Sequence, residues 1–272
     1  MVFRIAAAVA AMTVSATAAD LTAVEIMARV ATNQDRAVAL RRTFVYQQQM
    51  VVATRHVNGK LAREEKADYA VTPGSKEAEK KLVSITGKYQ RKGEYVDFKG
   101  QPVPDSGTLD GSLIQSFRDD LLNEKTKDGI GKDLFPLTTE EQKNYRFELK
   151  GRKHVQGRDT YIIAFSPADE DDLAWAGEAW IDADEFQPVR VFTHLSKRMP
   201  FFVRNMMGTD LPGFGFNVQY VRVDKDVWFP ASFGSEFRLR AVFFIKRDIS
   251  MSMQASGFKQ TKVDSQLKYE IP

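Results

Sequence analysis

Apolar and polar residues alternate with period two over much of the chain. Phe44, Tyr46, Gln48, Met50 and Val52 share one parity; Tyr145, Phe147 and Leu149 alternate with Arg146, Glu148 and Lys150. Ile249, Met251, Met253 and Ala255 alternate strictly with Ser250, Ser252, Gln254 and Ser256. Successive side chains of a strand point to opposite faces, so each run predicts a strand with one apolar and one wetted face. Further strands are expected over Leu61 to Val71, Tyr161 to Phe165, Gly177 to Asp182, Val189 to Leu195, Phe216 to Tyr220 and Val227 to Ile245. Leu61 to Val71 carries Arg63, Glu64, Glu65 and Lys66, so one of its faces must see water. Asn58-Gly59 reads as a type I′ hairpin turn with two positive φ angles. A hairpin through Leu82 to Ile85 and Tyr95 to Phe98 is expected with turns at Gly87 and Gly93, after a loop or solvated helical turn from Pro73 to Lys81.

Two segments change the period. Thr22 and Glu25 form a capping box before the stripe Leu21, Val24, Met27, Ala28 and Ala31, predicting a helix over 22–33 that Asp35 to Arg42 extends or restarts. Leu109, Leu113, Ile114, Phe117, Leu121 and Leu122 recur at helical spacing with Arg118, Asp119 and Asp120 on the other side, and Gly129 and Gly131 end that helix. A helix inserted between antiparallel strands packs across the sheet. The expected fold is therefore mainly β (α+β): a single curved antiparallel sheet forming an incomplete barrel around one or two helices.

Composition adds a compartment. Residues 1–19 carry one charge, Arg4, an apolar run from Ile5 to Val14, and small residues at Ala16, Ala18 and Ala19. This is the pattern of a secretory signal peptide cleaved after Ala18 or Ala19, leaving one domain over 20–272. The chain has no Cys, so the cleavage region has no thiol to acylate, and disulfides and thiolate metal sites are excluded. The expectation is an exported periplasmic protein that is not lipidated. Without Arg4 the 39 basic residues become 38 against 36 acidic ones. A nucleic-acid footprint would need basic residues gathered on one face, so no nucleic-acid partner is expected.

Catalytic vocabulary is sparse. His56, His154 and His194 have no His-x-x-His or HExxH partner, and no nucleophile elbow, P-loop or dinucleotide fingerprint is present. Asp182, Asp184 and Glu185 lack the Gly and distant Glu of a calcium loop and read as a polar hairpin turn; Asp169 to Asp172 reads as a solvated loop. No enzyme activity, metal or cofactor is expected. The apolar inventory is more informative: the chain has 19 Phe, and Met199, Phe201, Phe202, Val203, Met206 and Met207 form a soft cluster that suits either an irregular apolar ligand or a loop packed on the sheet. The inward parity of the last strands selects Phe233, Phe237, Leu239, Phe243, Ile245, Met251 and Met253, with Glu236, Arg238 and Arg240 pointing away. With Phe117, Leu121 and Met206 they are the candidate lining of an apolar cavity.

Gly177-Glu178-Ala179-Trp180-Ile181-Asp182 followed by Pro188-Val189-Arg190-Val191 resembles a hairpin of the outer-membrane lipoprotein-sorting superfamily. Val155 to Tyr161, Asp226 to Pro230 and the opening Leu21 to Met27 helix resemble further pieces of it. The superfamily includes the Lol-type lipoprotein carriers and a periplasmic sensor that restrains an anti-sigma factor. The resemblance covers most of 145–272 and is looser before that. It implies an incomplete barrel around helices whose apolar concave face accepts lipid or lipoprotein acyl chains. Its sensor branch implies docking of a membrane protein's periplasmic segment.

Overall fold

The computed structural model describes residues 21–74, 77–100, 108–123, 136–169, 175–196, 209–210, 215–241 and 245–261. The first described element is helix α1 (Ala23–Arg41), uninterrupted across the point where the sequence allows a break. Its capping box is formed: the Thr22 amide donates to Glu25 Oε2 at 2.8 Å and the Glu25 amide donates to Thr22 Oγ1 at 3.3 Å. The buried stripe differs in phase from the expected one. Ile26, Met27, Val30, Ala31 and Ala37 face inward, whereas Val24 and Ala28 are exposed. The sheet decides which side of a helix is covered, and period alone leaves that phase free.

Strands β1 (Phe44–Arg55), β2 (Leu61–Thr72), β3 (Glu79–Arg91) and β4 (Glu94–Lys99) precede helix α2 (Leu109–Asn123) and a single turn, α3 (Thr139–Gln142). Then follow β5 (Tyr145–Val155), β6 (Arg158–Pro167), β7 (Trp175–Asp182), β8 (Pro188–Leu195), the two-residue β9 (Thr209–Asp210), β10 (Gly215–Asp224), β11 (Val227–Ala241) and β12 (Ile245–Gln260). They form one antiparallel sheet in the order β4-β3-β2-β1-β12-β11-β10-β8-β7-β6-β5, with β9 paired off this path to β11. Pairing of β1 with β12 joins the two halves of the chain. β4 and β5 are its two ends, so the sheet does not close into a barrel.

Four local expectations are corrected. At Asn58-Gly59 only Gly59 has positive φ (80°), and its amide donates to the His56 carbonyl at 2.8 Å, giving a tight turn with a glycine bulge in place of type I′. The type I′ sign pattern occurs at Lys92-Gly93 (52° and 89°) and Gln156-Gly157 (52° and 77°). Gly87 is no turn: it lies inside β3, where a Cβ would meet the Phe98 ring at 2.4 Å. Strand β3 begins at Glu79, inside the expected loop, and Ile245 belongs to β12, paired with Ala241 of β11. Neither α3 nor β9 has a clear sequence period, since both are shorter than the window that reveals one.

Register fixes which residues share a face, because directly opposed residues in antiparallel strands lie on the same side. One row runs Leu149, Ile163, Ala179, Val191, Val218, Phe233, Met253, Met50, Ala67 and Ile85 across ten strands. Every member is apolar. Helix α1 covers one end of this face, packing Ile26, Met27 and Val30 on Ile163, Ile181, Val191 and Val218. Helix α2 covers the other, packing Ile114, with Leu113 and Phe117, on Met50, Ala67 and Ile85.

Candidate functional site

Between the two helices the burial changes. Ile163, Ala179 and Val191 under α1 and Met50 and Ala67 under α2 are all completely buried, whereas Phe233 and Met253, adjacent in the middle of the same row, are only half-buried. Met251, opposite Val52 on β1, is also half-buried. Among the described residues the sheet therefore keeps apolar surface partly open where β11 meets β12, at residues selected by strand parity, as it also does at Leu149 on its β5 end. Rings extend this surface on one side: Phe233 lies 4.7 Å from Phe216, which is 5.0 Å from Trp175. On the other, Phe117 of α2 stands edge-on to Phe237 at 6.1 Å. Flexible thioethers and flat rings form a wall that adapts to an irregular apolar surface.

Of the candidate cavity residues, Phe237, Leu239, Met251, Met253 and Phe117 meet in one cluster under α2, and Phe233 packs against the cluster under α1. Glu236 and Arg238 point away and are exposed. Leu121 falls in the last turn of α2, but its side chain lies outside the described set, as do those of Ile245 and Arg240. Phe243, Met206, the whole Met199 to Met207 cluster, and Gly129 with Gly131 also lie outside the described residues.

The sequence reading missed the polar part of this face. Arg63 and Glu65 on β2 are buried, and Arg118 reaches down from α2 to pair with Glu65 Oε1. Arg118 is thus not on the solvated side of its helix. Arg63 lies 3.7 Å from Glu65 Oε2, with its guanidinium 5.6 Å from the Tyr89 ring and 5.4 Å from the Phe98 ring. Near the start of α2, Asp110 takes a two-pronged bond from Arg247 of β12, at 2.7 and 3.0 Å. Two ion pairs therefore tie α2 to strands on either side of β1. A usable signal existed: Arg63 and Glu65 share parity with Ala67, Tyr69 and Val71, and Arg118 follows Phe117 and is four residues beyond Ile114.

The region under α1 is stitched differently. Asp182 Oδ1 accepts the Asp184 and Glu185 amides at 3.0 and 2.7 Å, and its Oδ2 accepts from Arg158 at 2.8 Å. Glu185 accepts from Arg158, Arg222 and the Trp228 indole. This is the expected polar hairpin turn, with carboxylates committed to arginines. His154 pairs with Asp159 at 2.8 Å on the surface. Among the described residues no group of three or more His, Asp or Glu is placed to hold a metal, and no helix is long and apolar enough to cross a membrane.

No family model and no curated protein matches the chain. Among solved structures it is similar to a DUF1329 family protein from Desulfovibrio piger, at 13% identity and TM-score 0.40 over 91% of this chain and 95% of that one. It is also similar to a LolA superfamily protein from Nitrosomonas europaea, at 12% identity and TM-score 0.37 over 90% and 96%. A third is the MucA/MucB complex of Pseudomonas aeruginosa, at 11% identity and TM-score 0.24 over 86% and 99%.

Proposed function

We propose that this chain is an exported periplasmic binding protein of carrier type, without enzymatic activity. It holds acyl chains, or another elongated apolar ligand, against the sheet between α1 and α2. The observation that carries this reading is the half-buried pair Phe233 and Met253, in a row otherwise buried from Ile163 to Ile85. A ligand chain lying there contributes about 0.8 kcal/mol for each methylene it buries, with no directional bond needed. Residues 1–19 act as the export signal, and without Cys the mature chain has no thiol to acylate. Release follows movement of α2. Mass spectrometry of lipids extracted from protein purified out of the periplasm tests the reading. Acyl lipids in stoichiometric amount are expected; protein that carries none and takes up none when offered acyl lipids would refute it. N-terminal sequencing of the same sample should begin at Ala19 or Asp20.

A second reading has its own observation. Among the described residues the hairpin β3–β4 is one end of the sheet, and it exposes Val83, Tyr95 and Val96. An unpaired edge can take an extended segment of a membrane protein's periplasmic part as a further strand. In that case Val96→Lys abolishes partner binding and leaves bound lipid unchanged, whereas substitutions at Phe233 do the reverse.

A further inference from the structure

The interior under α2 contains the buried hydroxyl of Tyr69. Tyr69 is almost wholly buried, yet its OH has no hydrogen-bond partner among the described residues. Its directly opposed neighbour on β1 is Gln48, also buried, whose amide Nε2 donates to the Met253 sulfur at 3.0 Å. A thioether is a weak acceptor, so two buried donors stand side by side, one without an acceptor and one with a poor one. A buried donor left in that condition destabilises the fold, and a phenylalanine at position 69 would avoid that cost. Met253 is the half-buried residue of the gap between the helices, so the same side chain borders the apolar surface and the donor pair.

We propose that Tyr69 and Gln48 together bind the carbonyl oxygen of an esterified or amidated acyl chain; this inference rests on the acyl-binding reading above. A carbonyl oxygen has two lone pairs and can accept from both donors at once. The charged neighbours favour an uncharged acceptor: Arg63 and Arg118 are offset by Glu65 and by Asp119, which also acts electrostatically on the Tyr69 hydroxyl. A free carboxylate would bring a further negative charge among groups that already balance. Burial pushes the Tyr69 hydroxyl up to about 12, so it stays protonated and a donor at any physiological pH. The ligand thus lies with its linkage beneath α2 and its hydrocarbon over Met253, Met251 and Phe233.

The test compares two glycerolipids that differ only at this linkage, monohexadecanoylglycerol and hexadecyl glyceryl ether, as competitors for anilinonaphthalene sulfonate bound to delipidated full-length protein. The ester should compete about tenfold more tightly than the ether, the size of one to two hydrogen bonds. Tyr69→Phe should bring the ester to within about twofold of the ether, with ether affinity unchanged and melting temperature not lowered. Gln48→Met should weaken the ester in the same selective way. Equal competition by ester and ether in the unaltered protein, or a Tyr69→Phe protein that loses both alike or melts several degrees lower, overturns the inference while acyl binding stands. If neither lipid displaces the dye, the acyl-binding reading falls and takes this inference with it.

Discussion

The two helices cover the same face of one sheet in different ways. Under α1 the centre is closed: Ile26, Val30, Ile163, Ala179, Ile181 and Val191 have no exposure, buried Gln34 and Arg41 donate to Gln187 and to the Trp228 carbonyl, and the turn after β7 is fixed by Arg158, Asp182 and Glu185. Under α2 the apolar contact is thinner, two ion pairs tie the helix to flanking strands, and Phe117, Met251 and Met253 stay half-buried. A helix that only has to stabilise a sheet gains most from close-packed aliphatic groups, as α1 does. On the proposed reading the region under α1 serves as scaffold and ligand lies toward α2.

The largest effect should come from the buried charge. Glu65→Ala leaves Arg118 and Arg63 without the carboxylate between them and should destabilise the fold by about 3–5 kcal/mol, read by urea denaturation. A loss below ~1 kcal/mol would mean that Arg118 already spends its time in water. Next, Ile163→Ala under α1 should cost about 3 kcal/mol, whereas Met253→Ala in the gap should cost under ~1.5 kcal/mol, because its site is not closed. Equal losses would erase the distinction between the two regions. Phe237→Ala lies between them: the fold penalty should stay below the ~3–5 kcal/mol of a phenylalanine deleted from a closed core, while the profile of bound lipid changes. A large loss of stability with no lipid in either protein would make Phe237 ordinary core.

How much of this was legible depends on how far apart the partners are. Most of the strands and both long helices follow from local period, as does the inward placement of Phe237, Leu239, Met251 and Met253. The ion cluster does not. Period puts one face of Arg63-Glu64-Glu65-Lys66 toward water, where Glu64 and Lys66 lie, but nothing local shows that Glu65 on the other face meets Arg118 from 53 residues away. Gly87 likewise reads as a turn, because its requirement is the Phe98 ring crossing it, which register alone reveals.

The smallest effects are on pH dependence. Hydrogen bonds from Ser84 at 2.6 Å, and from Gln49 at 2.8 Å, hold the Asp68 carboxyl below its usual range. The Thr22 backbone and hydroxyl do the same for Glu25. A carboxyl lowered in the folded state contributes stability that is complete above its unfolded value, near ~4, and is lost as pH falls through the lower folded value. Asp68→Asn should flatten that acid limb slightly. At the alkaline end the sign is opposite for loss. Tyr69, raised to about 12 by burial, resists ionisation in the folded state, so stability is unaffected below ~10 and falls as pH rises toward 12, and Tyr69→Phe should remove that alkaline loss. Denaturation midpoints measured against pH would show either limb unchanged if these side chains were in ordinary solvent.

The central claim, that ligand lies against the sheet between the helices on the α2 side, is tested most directly by photo-crosslinking. A hexadecanoyl ester carrying a diazirine along its chain is bound to the mature protein, irradiated, and the labelled residues located by peptide mass spectrometry. Labelling concentrated on Phe233, Met251, Met253, Phe237 and Phe117, with none on Ile26, Val30 or Ile163, is the predicted result. Labels spread over the outward strand residues, or centred on α1, would contradict it.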